Sequence, residues 1–176
     1  MTIATLIDRS MPHVTFSATT GESTIDLASR ELGDYVLFIY PRTGRPDRPE
    51  PAEWSAVPGA KGCTAESCEF RDLIGGFRAL NFSVFGLSSQ DTDYQREAAA
   101  RLHLPYPLLS DPDFRLADEL GLGTFVFHGV RLYSRTTLVV RGGRITEAHL
   151  DIADPKEHPH QLLDHLKHGA EHTVER

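Results

Sequence analysis

The sequence predicts an α/β domain with a central mixed β-sheet, helices on both faces and an N-terminal β-hairpin. Three observations carry that expectation. Residues 35–40 and 82–88 are continuous apolar runs of strand length, rich in β-branched and aromatic side chains, as strands buried on both faces are. Between them Phe70, Leu73, Ile74, Phe77 and Leu80 recur at spacings of three and four, the period of a helix. Later, Gly142-Gly143 separates two strand-like stretches, 129–140 and 144–150, a strong hairpin signal.

Taken in order, residues 1–10 read as a loosely held arm. Residues 12–16 suit a short strand, and 23–27 alternate polar and apolar like its return strand across Gly21-Glu22-Ser23. Pro41 ends the strand at 35–40. Residues 42–62 then form a loop of about twenty residues, long for a compact domain and interrupted by Pro46, Pro49, Pro51 and Pro58. A helix starts at Cys63 and leads into the strand at 82–88. Residues 91–102 read as a helix capped by Asp91 or Thr92, 106–109 as a short strand, and 114–120 as a helix stopped at Gly121. Residues 155–168 read as a terminal helix with Leu162, Leu163 and Leu166 on its apolar face. The β-α-β-α order, closed by a hairpin and a helix, is the thioredoxin-like layout.

A length of 176 residues suits one domain, 1–176, with enough chain for a sizeable core. The net charge of -7 argues against nucleic-acid binding and against a surface made for anionic lipid. No apolar run approaches a membrane span, and no basic segment followed by an apolar core marks a signal peptide. The expected location is therefore cytoplasmic. Two cysteines are too few for a disulfide scaffold; in a reducing compartment such a pair is more often catalytic or metal-binding than structural.

Both cysteines lie in Gly62-Cys63-Thr64-Ala65-Glu66-Ser67-Cys68-Glu69-Phe70-Arg71-Asp72. The turn-rich approach, residues 58–62, puts Cys63 at a helix start, where free N–H groups and the positive end of the macrodipole favour thiolate over thiol. Thr64 and Glu66 suit the same first turn. Cα atoms five apart on a helix are separated by roughly 8.6 Å, whereas a disulfide usually wants about 4.4–6.8 Å. If the two sulfurs pair, the first helical turn must unwind.

This segment resembles the active-site stretch of the peroxiredoxins, in particular the Q-type, or bacterioferritin-comigratory, subfamily. The resemblance covers roughly residues 15–166. It implies a thiol-dependent peroxidase acting on hydrogen peroxide or organic hydroperoxides. It also implies a peroxidatic Cys63, a Cys68 that resolves its sulfenic acid to an intramolecular disulfide, and reduction by a thioredoxin-like dithiol protein. No metal or organic cofactor is implied, and the assembly expected is a monomer or homodimer. Residues 133–140 resemble the strand that carries the family's active-site arginine, which places that role on Arg135; Arg131, Arg141 and Arg144 are alternatives. Glu66 and Arg71 suit an ion pair behind the site or a solvated helix face.

Two departures stand out. The family has a hydroxyl three residues before the peroxidatic cysteine and a proline four before that; here those positions hold Ala60 and Ala56. Thr43 could supply the hydroxyl only if the long loop folds back. The loop itself, with Trp54, Arg42, Arg45 and Arg48, reads either as a substrate-selecting flap or as a decoration or dimer contact. A dithiol–disulfide oxidoreductase and a redox-sensing binding module are the alternative functions. His165, His168 and His172 share a helical spacing with His158 and His160 upstream, but a polar face near a chain end is the ordinary reading, and no metal site is expected.

Overall fold

A seven-stranded sheet organises the computed structural model, in which residues 2–21 and 23–174 are described, the last three by backbone alone. The elements are β1 (Thr15–Ala18), β2 (Thr24–Asp26), β3 (Asp34–Ile39), α1 (Cys63–Asp72), α2 (Ile74–Ala79), β4 (Phe82–Ser88) and α3 (Thr92–Arg101). There follow β5 (Leu108–Ser110), α4 (Arg115–Leu120), β6 (Thr124–Phe127), β7 (Val130–Tyr133), β8 (Thr136–Arg141), β9 (Arg144–His149) and α5 (His158–Val174). Sheet order is β2-β1-β5-β4-β3-β8-β9. The β3–β4 and β4–β5 pairs are parallel and the others antiparallel, so the sheet is mixed as the sequence predicts. The N-terminal hairpin is β1–β2, with Phe16 opposite Ile25; Glu22 of its expected turn lies outside the described residues.

Strand alternation divides the core in two. Val36, Phe38 and Tyr40 point to one face with Phe70, Phe77, Leu162, Leu163 and Leu166, so α1, α2 and α5 cover that side. Tyr35, Leu37 and Ile39 point to the other, against Leu116, Ala117 and Leu120 of α4. β4 keeps Gly86 on the first face because a Cβ there would sit 2.6 Å from Leu108 and 2.9 Å from Phe38.

The structure corrects several expectations. Residues 1–10 are not a loose arm: Leu6 is fully buried, the Asp8 N–H bonds the Ile145 carbonyl, and the Arg9 guanidinium bonds the Leu120 and Glu119 carbonyls. The helix after Cys63 breaks at Leu73. Gly75 and Gly76 weaken it there, and Gly76 admits Leu163, which would lie 2.6 Å from a Cβ. The stretch 129–140 is not one strand. β6 and β7 form a separate hairpin about His128 and Gly129, both at positive φ, and the chain turns away before β8. The last helix starts at His158, after Asp154 has accepted the Lys156 and Glu157 N–H groups. Asp91 caps α3 and Gly121 ends α4 in the left-handed region, both as expected.

The long loop is tied down at its start. Thr43 exchanges hydrogen bonds with Gln90, Tyr94 donates to the Thr43 carbonyl at 2.9 Å, and Arg101 donates to the Gly44 carbonyl at 3.0 Å. Residues Ala52–Ala56 make a short 3-10 turn. From it Trp54 enters a third apolar cluster with Ala60, Phe127 and Leu132.

Candidate active site

Cys63 is the first residue of α1, and Gly62 before it has φ 105°, a conformation that L side chains rarely adopt. A Cβ on Gly62 would also meet Pro155 at 3.1 Å. The sequence thus fixes the helix start by a glycine pressed against the lead-in to α5. Cys63 is 3% exposed, and its sulfur faces the Ala60 carbonyl at 3.5 Å.

Arg135, in the link between β7 and β8, reaches this sulfur: Nη2 lies 3.2 Å from Sγ. The same guanidinium donates from Nε to the Gly59 carbonyl and from Nη2 to the Lys61 carbonyl, each at 3.2 Å, and from Nη1 to Glu66 Oε2. One buried cation thereby joins the thiol, the carboxylate one turn later and the loop that leads into the helix. Glu66 is fully buried, and its Oε1 has no partner. Burial pushes its carboxyl up to about 7, against the pull of Arg135.

The thiol itself goes up, not down as the helix start alone suggests. Burial is the largest influence, and the Glu66 carboxylate adds to it; Arg135 and the Arg42 backbone N–H, which donates to the sulfur, pull the other way. Protonation of Glu66 removes one of the two opposing influences and leaves the guanidinium charge to the sulfur.

Cys68 is half-buried on the intact α1 helix, and both cysteines are free thiols. Ser67 beside it donates to the Cys63 carbonyl at 2.9 Å, and Tyr106 donates to the Ser67 carbonyl at 2.6 Å. Arg71 does not pair with Glu66. It bonds Asp72 and the Leu102 carbonyl, and its charge interacts with Cys68. Thr64 is half-buried in the first turn. Thr43 is buried, but its hydroxyl donates to Gln90 Oε1 at 3.2 Å. Trp54 is buried in the loop cluster.

Cys63, Glu66 and Arg135 are therefore brought together, while Arg71 stands with Cys68, and Thr43 and Trp54 stand in the loop. Sequence reasoning missed the Gly59 and Lys61 carbonyls and the Arg42 N–H, since main-chain groups leave no mark on residue type. It also missed Tyr40, fully buried and in electrostatic contact with Cys63 and Glu66, whose hydroxyl donates to Gln95. A polar tip ending a buried strand beside a cysteine helix was the available signal. The histidines do not converge: His158 meets Thr137, His160 meets Glu69, and His165 meets Glu147. The side chain of His172 lies outside the described residues. Among the described residues no three His, Cys, Asp or Glu groups are placed to hold a metal ion, and no helix is long and apolar enough to cross a membrane.

A cysteine at a helix start, bonded to a buried guanidinium above a thioredoxin-like sheet, defines the class of thioredoxin-fold thiol proteins. The redoxin family model matches residues 7–164, and the chain belongs to that family. A Mycobacterium tuberculosis protein named as a peroxiredoxin is 32% identical over 108 residues, 61% of this chain and 60% of its own. Chloroplastic peroxiredoxin Q of Arabidopsis thaliana is 26% identical over 132 residues, 75% of this chain and 54% of its own. The matches thus span somewhat more than half the length of these curated relatives. Crystal structures of the Xylella fastidiosa PrxQ (TM-score 0.75, 22% identity, 93% of this chain and 96% of that one) and of the Mycobacterium tuberculosis peroxidoxin BcpB (0.71, 24%, 92% and 96%) share the fold. The resemblance to Q-type peroxiredoxins read from the cysteine segment is borne out by these relatives.

Proposed function

We propose that the chain is a thiol-dependent peroxidase working as a single domain, 1–176, on hydrogen peroxide or an organic hydroperoxide. The observation that carries this reading is the 3.2 Å contact between Arg135 and the Cys63 sulfur, since a guanidinium there stabilises thiolate and holds peroxide oxygens through fixed donors. The Cys63 thiolate attacks the distal oxygen, an S–O bond forms as the O–O bond breaks, and hydroxide or alkoxide leaves and takes a proton. The Cys68 thiol then condenses with the sulfenic acid, releasing water and forming the disulfide. That step requires the first turn of α1 to unwind. A thioredoxin-like dithiol protein in a reducing, cytoplasmic setting restores both thiols, and the residues present call for no metal or organic cofactor.

A second reading, a dithiol–disulfide oxidoreductase, is favoured by one observation: Ala60 offers no hydroxyl, and the Thr43 hydroxyl is spent on Gln90. Steady-state assays separate the two. A peroxidase consumes many equivalents of peroxide per protein with thioredoxin and thioredoxin reductase, and Cys63→Ser abolishes this. Turnover on a protein disulfide with none on peroxide contradicts the peroxidase reading.

A further inference from the structure

The loop between Pro41 and Cys63 touches the sulfur from both of its ends. The Arg42 backbone N–H donates to Sγ from one end, and the Ala60 carbonyl faces Sγ at 3.5 Å from the other. A single side-chain assembly links the two ends. The Arg42 guanidinium carbon lies 4.1 Å from the centroid of Trp54 and 5.4 Å from that of Phe127. Glu50 accepts from Arg42 Nη2, which fixes the plane of the guanidinium. Trp54, 4% exposed, packs edge-on against Phe127 at 4.9 Å and shares its apolar cluster with Ala60. Arg42 Nε is buried without a partner. An arginine kept there at the cost of an unmatched donor marks a side chain held for its stacking.

We propose that Trp54 and Arg42 are positioning residues for Cys63: stacked on one another and on Phe127, they keep the Arg42 backbone N–H on the sulfur, a main-chain donor in place of the side-chain hydroxyl that Ala60 lacks. The long loop is then neither flap nor decoration but a strut between the β6–β7 hairpin and the nucleophile. Its consequence for turnover rests on the peroxidase reading; its effect on the thiol does not. A lost N–H donor leaves the thiolate less well solvated, so fewer molecules carry it at a given pH.

The test is the pH dependence of Cys63 thiolate ultraviolet absorbance, with Cys68→Ser as the parent so that one thiol remains. Trp54→Ala and Arg42→Ala are expected to move the midpoint up by about one pH unit, a roughly tenfold loss of thiolate below it. Trp54→Phe, which restores an aromatic face for the guanidinium, should recover most of that shift. Val57→Ala trims the same cluster without touching Arg42; it should lower the thermal midpoint and leave the titration unchanged. A folded Arg42→Ala whose titration overlays the parent's overturns the proposal. So does a Val57→Ala shift as large as that of Trp54→Ala, which would reduce the effect to packing. If Trp54→Ala does not fold, Arg42→Ala decides alone, because that side chain is removed from the rim of the cluster. The assay contains no peroxide, so failure of peroxide turnover in the native protein sinks the peroxidase reading separately.

Discussion

Replacing Arg135 by methionine removes the cation from the Cys63 sulfur while keeping most of the side-chain volume. At 3.2 Å, two unit charges attract by about 5 kcal/mol at an effective dielectric of about 20. That figure is an upper bound here, because Glu66 accepts from the same guanidinium. An opposite charge this close typically moves a pKa by about 1–3 units, each about 1.4 kcal/mol. The expected result for Arg135→Met is therefore a rise of about two units in the Cys63 midpoint, roughly a hundredfold less thiolate at a fixed pH below it. Glu66, stripped of its partner, stays protonated across neutral pH and does not raise the thiol further. Thiolate absorbance against pH, in protein with Cys68→Ser, reads the shift directly; circular dichroism confirms the fold. Arg131→Met serves as control, since Arg131 lies on the exposed side of β7 and bonds Thr124. A titration of Arg135→Met that overlays the parent's would refute the electrostatic argument.

Glu66→Gln should act in the opposite sense: without the carboxylate opposing it, Cys63 forms thiolate at lower pH, and the titration loses the inflection near pH 7 that Glu66 ionisation imposes. Glu66 also binds its proton more tightly in the folded state, so its contribution to stability is full below about pH 4.5 and is lost as pH rises through about 7. Urea midpoints of Glu66→Gln should therefore fall less than those of the parent over that interval. His158 has the reverse sign. Burial depresses its pKa from 6.5 to about 4, so the unfolded chain takes the proton first and stability falls as pH drops from about 6.5 to 4. His158→Gln, which can still meet Thr137, should flatten that acid limb in the same urea experiments. Gly62→Ala puts a Cβ 3.1 Å from Pro155 at φ 105° and should cost about 1–3 kcal/mol in unfolding free energy; an unchanged thermal midpoint would contradict the strain assigned to that position.

Sheet and helices were legible where one face of a regular element is apolar. The runs at 35–40 and 82–88 alternate between two buried faces, and Asp91 and Gly121 terminate helices by local chemistry that sequence displays. The β6–β7 hairpin was not legible, because its turn uses His128 at positive φ in place of the usual asparagine or aspartate before glycine. Nor was the anchoring of residues 1–10, which depends on Leu6 and Arg9 meeting strands and helices more than a hundred residues away. In the site, Cys63 and Arg135 were legible from their segments. Glu66 was assigned to the right shell but paired with the wrong cation, since helix spacing suggests Arg71 and only the fold delivers Arg135. The sign of the Cys63 shift was missed because helix position speaks to charge, while burial depends on how the loop closes over the sulfur.

The central claim is that Cys63 is oxidised by peroxide and Cys68 resolves it. Intact mass and free-thiol count after one equivalent of hydrogen peroxide, on reduced protein beside Cys63→Ser and Cys68→Ser, test it most directly. The account predicts rapid loss of both thiols with loss of two hydrogens in mass, no reaction in Cys63→Ser, and a sulfenic acid on Cys63 in Cys68→Ser. Thiols that outlast free cysteine under the same peroxide would contradict it.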